Sequence, residues 1–213
     1  MPTPPNNSPT ASKDSSFSSQ KGFSLPVSVT KPIVYVPKGK EEAILSTPIS
    51  GAKVIAHNVL EGGANHWCFY LTVAPDVGQH GDMETLIQVD CAPSGLAGAM
   101  LRNGSQATIV VSHVEREMPN DAQHAATMAV STGCRVGSFI RAIEENGRDK
   151  YDFDENGRGC RQWTSDQNDL FLQLGLLSSA EQAEQAKSDI LLEWEGFEPT
   201  GRRFPLDCGV YYE

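Results

Sequence analysis

The chain has 213 residues, 39% of them hydrophobic, and carries a formal net charge of -10 from 17 Lys+Arg against 27 Asp+Glu. That length supports one domain with a real core, and the negative field, with no Lys/Arg cluster to reverse it locally, excludes nucleic acid as a partner. No apolar run reaches bilayer length and the first residues lack a basic-then-apolar layout, so a soluble, cytoplasmic protein is expected.

Residues 1–28 are mostly Ser, Pro, Thr and Asn, and a stretch so poor in apolar periodicity cannot offset its chain entropy. A disordered tail is expected there, leaving 29–213 as a single α+β domain. The domain opens on Pro32-Ile33-Val34-Tyr35-Val36-Pro37, a β-rich run between prolines that suits an edge strand. A second strand is expected over Lys53–Val59, and a third over His66–Val73 after the turn residues Gly62 and Gly63. The polar stretch from Pro75 to Met83 reads as the loop of a long hairpin whose return strand is Thr85–Cys91, and Ala107–Val114 extends the same antiparallel sheet.

Helices follow. Val136, Phe139, Ile140 and Ile143 recur at helical spacing before Gly147, a natural C-cap. A brief strand, Lys150–Phe153, leads into the glycine turn Asn156-Gly157-Arg158-Gly159-Cys160. A second helix is expected to carry Trp163, Leu170, Phe171, Leu174 and Leu177. A third starts at the capping box Ser179-Ala180-Glu181-Gln182 and runs towards Trp194, ending at Gly196. The aromatic segment Arg202–Tyr212 suits a closing strand. The fold class is therefore α+β, an antiparallel sheet packed against C-terminal helices.

The five cysteines (Cys68, Cys91, Cys134, Cys160, Cys208) are scattered and form no CxxC pair, which argues for reduced thiols and against both a disulfide framework and a structural zinc motif. Four of them read as small apolar fillers. Cys160 differs, because it stands between a glycine turn and a helix start, where backbone amides favour a thiolate. His66 opens the strongest strand, with His66, Cys68 and Tyr70 on its less apolar face and Trp67, Phe69 and Leu71 on the other. If the hairpin is centred near Gly78, Asp90 lies opposite His66 and Gln88 opposite Cys68.

These placements assign Cys160 as nucleophile, His66 as base and Asp90 as the group orienting the imidazole, with helix-start amides as oxyanion donors. Gln88 is the alternative for the orienting or oxyanion role. Arg161 could hold a substrate carboxylate or be a solvated charge, and Trp163 could wall a substrate pocket or anchor the core. The same groups offer a second chemistry, with zinc held by His66, Cys68, Asp90 and Cys160. The spacing does not demand it, and no metal and no cofactor is assigned.

Asn65-His66-Trp67-Cys68-Phe69-Tyr70-Leu71 resembles the first motif of circularly permuted papain-like hydrolases and acyltransferases of the lecithin:retinol acyltransferase type, in which a His-Trp pair opens a strand and the cysteine arrives later on a helix. The order His66, Asp90, Cys160 is similar to theirs. Those enzymes have Asn before the cysteine, Glu-His after it and a second histidine on the neighbouring strand; here Gly159, Arg161-Gln162 and Gln88 or Asp90 stand instead. The pairing of Asn-His-Trp with Gly159-Cys160-Arg161-Gln162-Trp163 also resembles a family of small fungal proteins, some associated with secondary metabolism. Together the resemblances imply a permuted papain-like arrangement and a cysteine hydrolase or acyltransferase, of amidase or thioesterase type, acting on a small molecule or an acylated carrier. A non-catalytic binding protein on the same fold is the alternative.

Overall fold

A computed structural model describes residues 32–60, 63–75, 85–114, 118–206 and 209–213. The Ser/Pro-rich stretch 1–28, the centre of the expected hairpin loop and Cys208 lie outside the described residues. The described elements are, in chain order, β1 (Ile33–Val36), α1 (Glu41–Ser46), β2 (Ile49–Val59), β3 (Asn65–Val73), β4 (Leu86–Ala97), β5 (Ser105–Val114), β6 (His124–Ala129), α2 (Val136–Glu145), β7 (Tyr151–Phe153), α3 (Cys160–Gln173), α4 (Ala180–Ile190), β8 (Leu192–Glu195), β9 (Glu198–Arg203) and β10 (Val210–Tyr211). An α+β fold follows, as expected.

Eight strands form the main sheet in the order β10-β7-β5-β4-β3-β2-β6, with β1 also paired to β5. Every ladder is antiparallel except β1–β5. Period-2 alternation separates the two faces. Val54, Ala56, Trp67, Phe69, Leu71, Ile87, Val89, Cys91, Ile109 and Val111 join the buried core that α2, α3 and α4 cover. The opposite face carries a much smaller apolar cluster of Ile55, Cys68, Tyr70, Leu86 and Ala122. Polar residues of β3 and β4 therefore collect there, on the face that the large core does not occupy.

Several elements differ from the sequence reading: α1 was not expected, α3 ends at Gln173 before Leu174 and Leu177, and two further differences have identifiable reasons. The third helix stops at Ile190, and Trp194 belongs to β8, where its backbone N–H and C=O are both bonded to the buried Asn65 side chain at 2.8 and 3.0 Å. Gly196 and Phe197, both with positive φ, then turn β8 into β9 instead of capping a helix. Strand β6 was not legible in His124-Ala125-Ala126-Thr127-Met128-Ala129, because alanine carries little β signal; pairing with β2 supplies what propensity does not.

Candidate functional site

The ladder between β3 and β4 runs only from Phe69–Val89 to Thr72–Leu86. Before Phe69, strand β3 keeps β2 as its neighbour, and beyond Val89, strand β4 keeps β5. The two strands part at that point, and α3 fills the opening: the Thr164 hydroxyl donates to the Trp67 carbonyl at 3.2 Å. A carbonyl that a sheet neighbour would otherwise satisfy is thus bonded by the helix, which meets the requirement that buried backbone groups be paired. His66 and Cys68 of β3 and Asp90 of β4 all lie at this opening.

The pairing of Tyr70 with Gln88 corrects the expected register, which set Cys68 opposite Gln88 and His66 opposite Asp90. The offset is two residues. An even shift preserves the face of every side chain, so Asp90 still points to the His66 side and reaches it diagonally. The His66 Nε2 bonds Asp90 Oδ1 at 2.9 Å, and the Cys68 thiol lies 3.1 Å from Nε2 and donates to Asp90 Oδ1 at 3.2 Å. The Cys160 side chain is a further neighbour that favours the protonated form of the same imidazole. Burial disfavours charge on His66, yet Asp90, Cys160 and Cys68 beside it outweigh that and raise its pKa. Burial likewise pushes the Asp90 carboxyl up, but the His66 bond and charge win and hold it below the usual carboxylate range. Cys68 lacks such compensation, and burial drives its thiol up to about 12 despite the neighbouring ring.

The approach of Cys160 is built by its turn. Asp154 Oδ1 accepts from the backbone N–H of Asn156 and Arg158 at 2.9 and 2.8 Å, and Gly157 has φ 70. Gly159 disfavours any side chain: a Cβ there would lie 3.0 Å from ring carbons of both Phe153 and Tyr151, which would have to give by a few tenths of an ångström. The Tyr151 hydroxyl donates to the Gly159 carbonyl at 3.0 Å, fixing the residue before the thiol. Because glycine at the N-cap offers no side-chain acceptor, the first-turn amides of α3 keep their donor capacity.

The expected substrate contacts fare differently. Gln88 is half-buried beside the cluster, with its side-chain amide 3.7 Å from the Cys68 sulfur and its carbonyl accepting from Ser112. Trp163 is buried, and its indole N–H donates to the Arg148 carbonyl at 2.8 Å, so it is a core anchor and not a pocket wall. Arg161 is also buried. Its guanidinium donates to the carbonyls of Ile190, Phe204 and Pro205 at 2.6–3.0 Å, which corrects the expectation of a substrate-binding cation to that of an internal clamp. The apolar-filler reading of Cys68 is corrected as well, since its thiol takes part in the polar cluster.

Two groups, His57 and Asp121, escaped the sequence reading, and Tyr70 was placed on the right face but given no role. His57 Nδ1 pairs with Asp121 at 3.0 Å and its Nε2 meets the Tyr70 hydroxyl at 3.0 Å, with the His57 and His66 rings 5.9 Å apart. Together with His66, Gln88 and Asp90 they line a cleft of about 400 Å³. The period-2 face containing His66, Cys68 and Tyr70 was visible in the sequence. His57 lies on β2, however, and only its cross-strand pairing brings it alongside. Cys160 does not line this cleft and belongs to the large core cluster.

Linked protonation gives the pair a pH signature. Asp90 has a depressed pKa, so its contribution is present above the ordinary carboxylate value of about 3.9 and is lost as pH falls through the folded value. His66 has a raised pKa, so its contribution is complete below about 6.5 and fades only as pH climbs through the folded value. Asp90→Asn should therefore lower the urea midpoint at neutral pH and approach the unmodified protein in strong acid. Equal gaps at both pH values would show that the pair contributes no charge-dependent stability.

Residues 52–212 match the family described as "Domain of unknown function (DUF7770)", a span that includes His66, Asp90 and Cys160. No curated protein and no solved structure matches the chain. No helix among the described residues is long and apolar enough to cross a membrane.

Proposed function

We propose that this chain, which belongs to the DUF7770 family, is a cysteine-dependent hydrolase or acyltransferase with a permuted papain-like site. The observation that carries this reading is the His66–Asp90 bond at 2.9 Å, with Cys160, at the start of α3, among the groups that raise the pKa of that imidazole. Asp90 holds the ring and favours its protonated form, so the proton that Cys160 gives up has a stable seat. The Cys160 sulfur attacks an acyl carbonyl, and the first-turn amides of α3 steady the oxyanion. Collapse breaks the bond to the leaving amine or thiol, which takes the proton from His66. Water or an acceptor amine then gives a proton to His66 and attacks the thioester, releasing the acyl product and Cys160.

The cleft of about 400 Å³ on the side of His66 and Asp90 suits a small molecule or the acyl end of a carrier, whose acyl carbon must reach past His66 to Cys160, which does not line the cleft. The likeness to fungal proteins would place such a substrate in fungal secondary metabolism. A second reading, a binding protein that uses the cleft without covalent chemistry, is favoured by one observation: Cys160 is 7% exposed and belongs to the apolar core.

Iodoacetamide separates the two. Under the first reading, Cys160 is alkylated near neutral pH well ahead of Cys68, Cys91 and Cys134, and His66→Ala slows it by at least tenfold, the scale on which a paired base activates a thiol. Equal rates at the thiols, insensitive to His66, would favour the binding protein.

A further inference from the structure

Three donor atoms of different chemistry converge at the opening between β3 and β4. His66 Nε2, Cys68 Sγ and Asp90 Oδ1 lie 2.9, 3.1 and 3.2 Å from one another. Two of the residues are held by a single rigid strand, since His66 and Cys68 are two apart on β3 and share a face. The third comes from the neighbouring strand β4. We propose that His66, Cys68 and Asp90 form a binding site for a thiophilic divalent cation of the zinc class, open on the cleft side to a fourth ligand.

The chemistry of the donor set selects the ion. One thiolate, one imidazole and one carboxylate suit zinc; magnesium and calcium take oxygen donors. Zinc bonds of about 2.0–2.3 Å place the ligands of a tetrahedral site roughly 3.3–3.6 Å apart. The three atoms form a nearly equilateral triangle slightly smaller than that, as expected where shared protons hold together atoms that an ion would spread by a few tenths of an ångström. His66 and Asp90 line the cleft, so an ion has an entry path and its fourth position faces space for water. The nearby Gln88 amide and Ser112 hydroxyl provide polar surroundings for the site.

Binding exchanges protons for the ion. The Cys68 thiol and the His66 Nε2–H each lose a proton to solvent, the freed Nε2 lone pair is committed to the metal, and Asp90 exchanges hydrogen bonds for a metal bond. A ring so occupied cannot accept a proton from Cys160, so the cation acts as a reversible inhibitor. The inhibitory half rests on the cysteine-enzyme reading; the binding half does not.

The test uses the full chain, purified with a phosphine reductant and stripped by chelator. Titration against a chromophoric zinc chelator should show one equivalent bound. Cobalt(II) in its place should give a thiolate-to-metal charge-transfer band. Cys68→Ser should abolish the band and, like Asp90→Asn, weaken zinc affinity at least tenfold, while Cys160→Ser keeps both band and affinity. Absence of the band in the unmodified protein overturns the proposal whether or not any variant folds. So does a band that survives Cys68→Ser and vanishes in Cys160→Ser, which would name the wrong thiol. Zinc should also slow iodoacetamide at Cys160 in the unmodified protein and not in Cys68→Ser. Metal uptake without a reactive Cys160 leaves the site standing and sinks the enzyme reading; a reactive Cys160 without metal uptake does the reverse.

Discussion

Cys160→Ser is expected to reduce turnover of an activated thioester by about 10³-fold or more, the scale seen when a covalent nucleophile is lost. The substitution exchanges sulfur for oxygen with little change in volume, so the tightly packed start of α3 beside Tyr151 and Phe153 should keep its geometry. What changes is the nucleophile. A serine hydroxyl gives up its proton far less readily than a thiol, and the imidazole that His66 offers is already biased towards its charged form by Asp90. Thermal unfolding should move little, which separates loss of chemistry from loss of fold. Mass spectrometry of the unmodified protein mixed with substrate should find the acyl group on Cys160. Retained turnover in Cys160→Ser, or an acyl adduct on Cys68 instead, would end the assignment of Cys160 as nucleophile.

The next largest effect is expected on stability, at the adjacent residue. Arg161→Met should cost about 3–5 kcal/mol, because methionine fills part of the volume but leaves the carbonyls of Ile190, Phe204 and Pro205 without their donors inside the protein. In a chain of this size that corresponds to a fall in Tm of about 10 °C. The clamp joins the first turn of α3 to the end of α4 and to the segment after β9, three parts far apart in sequence. A substrate-binding arginine would behave in the opposite way, raising KM while leaving the unfolding midpoint in place. A melting curve and a KM measured well below the melting temperature therefore decide between the two roles. An unchanged midpoint would restore the substrate role.

Several features that matter for the site were readable before any coordinates. Alternation along His66-Trp67-Cys68-Phe69-Tyr70-Leu71 assigns each residue to a face, and the structure keeps those faces because side-chain direction in a strand is set locally by the pleat. The start of α3 at Cys160 was also legible, since glycine next to a helical periodicity marks a boundary through backbone sterics alone. The His66–Asp90 contact survived a register error because the error was even. A one-residue slip would have turned Asp90 to the core face, whereas a two-residue slip costs only a diagonal reach that these side chains can span.

By itself, the chain's sequence determined the fold class, the approximate positions of the central strands and of α2, α3 and α4, and which residues could carry chemistry, because all of these follow from short-range periodicity and turn sterics. Only the tertiary structure decided what each polar group touches. Cys68 became part of the cluster because β4 parts from β3 beside it; His57 joined the cleft through its position on β2; and Arg161 was withdrawn from any substrate by carbonyls 29 to 44 positions further along. The reason is the same in each case: a partner's identity depends on contacts between distant segments, and no local pattern of apolar and polar residues encodes which segments will meet.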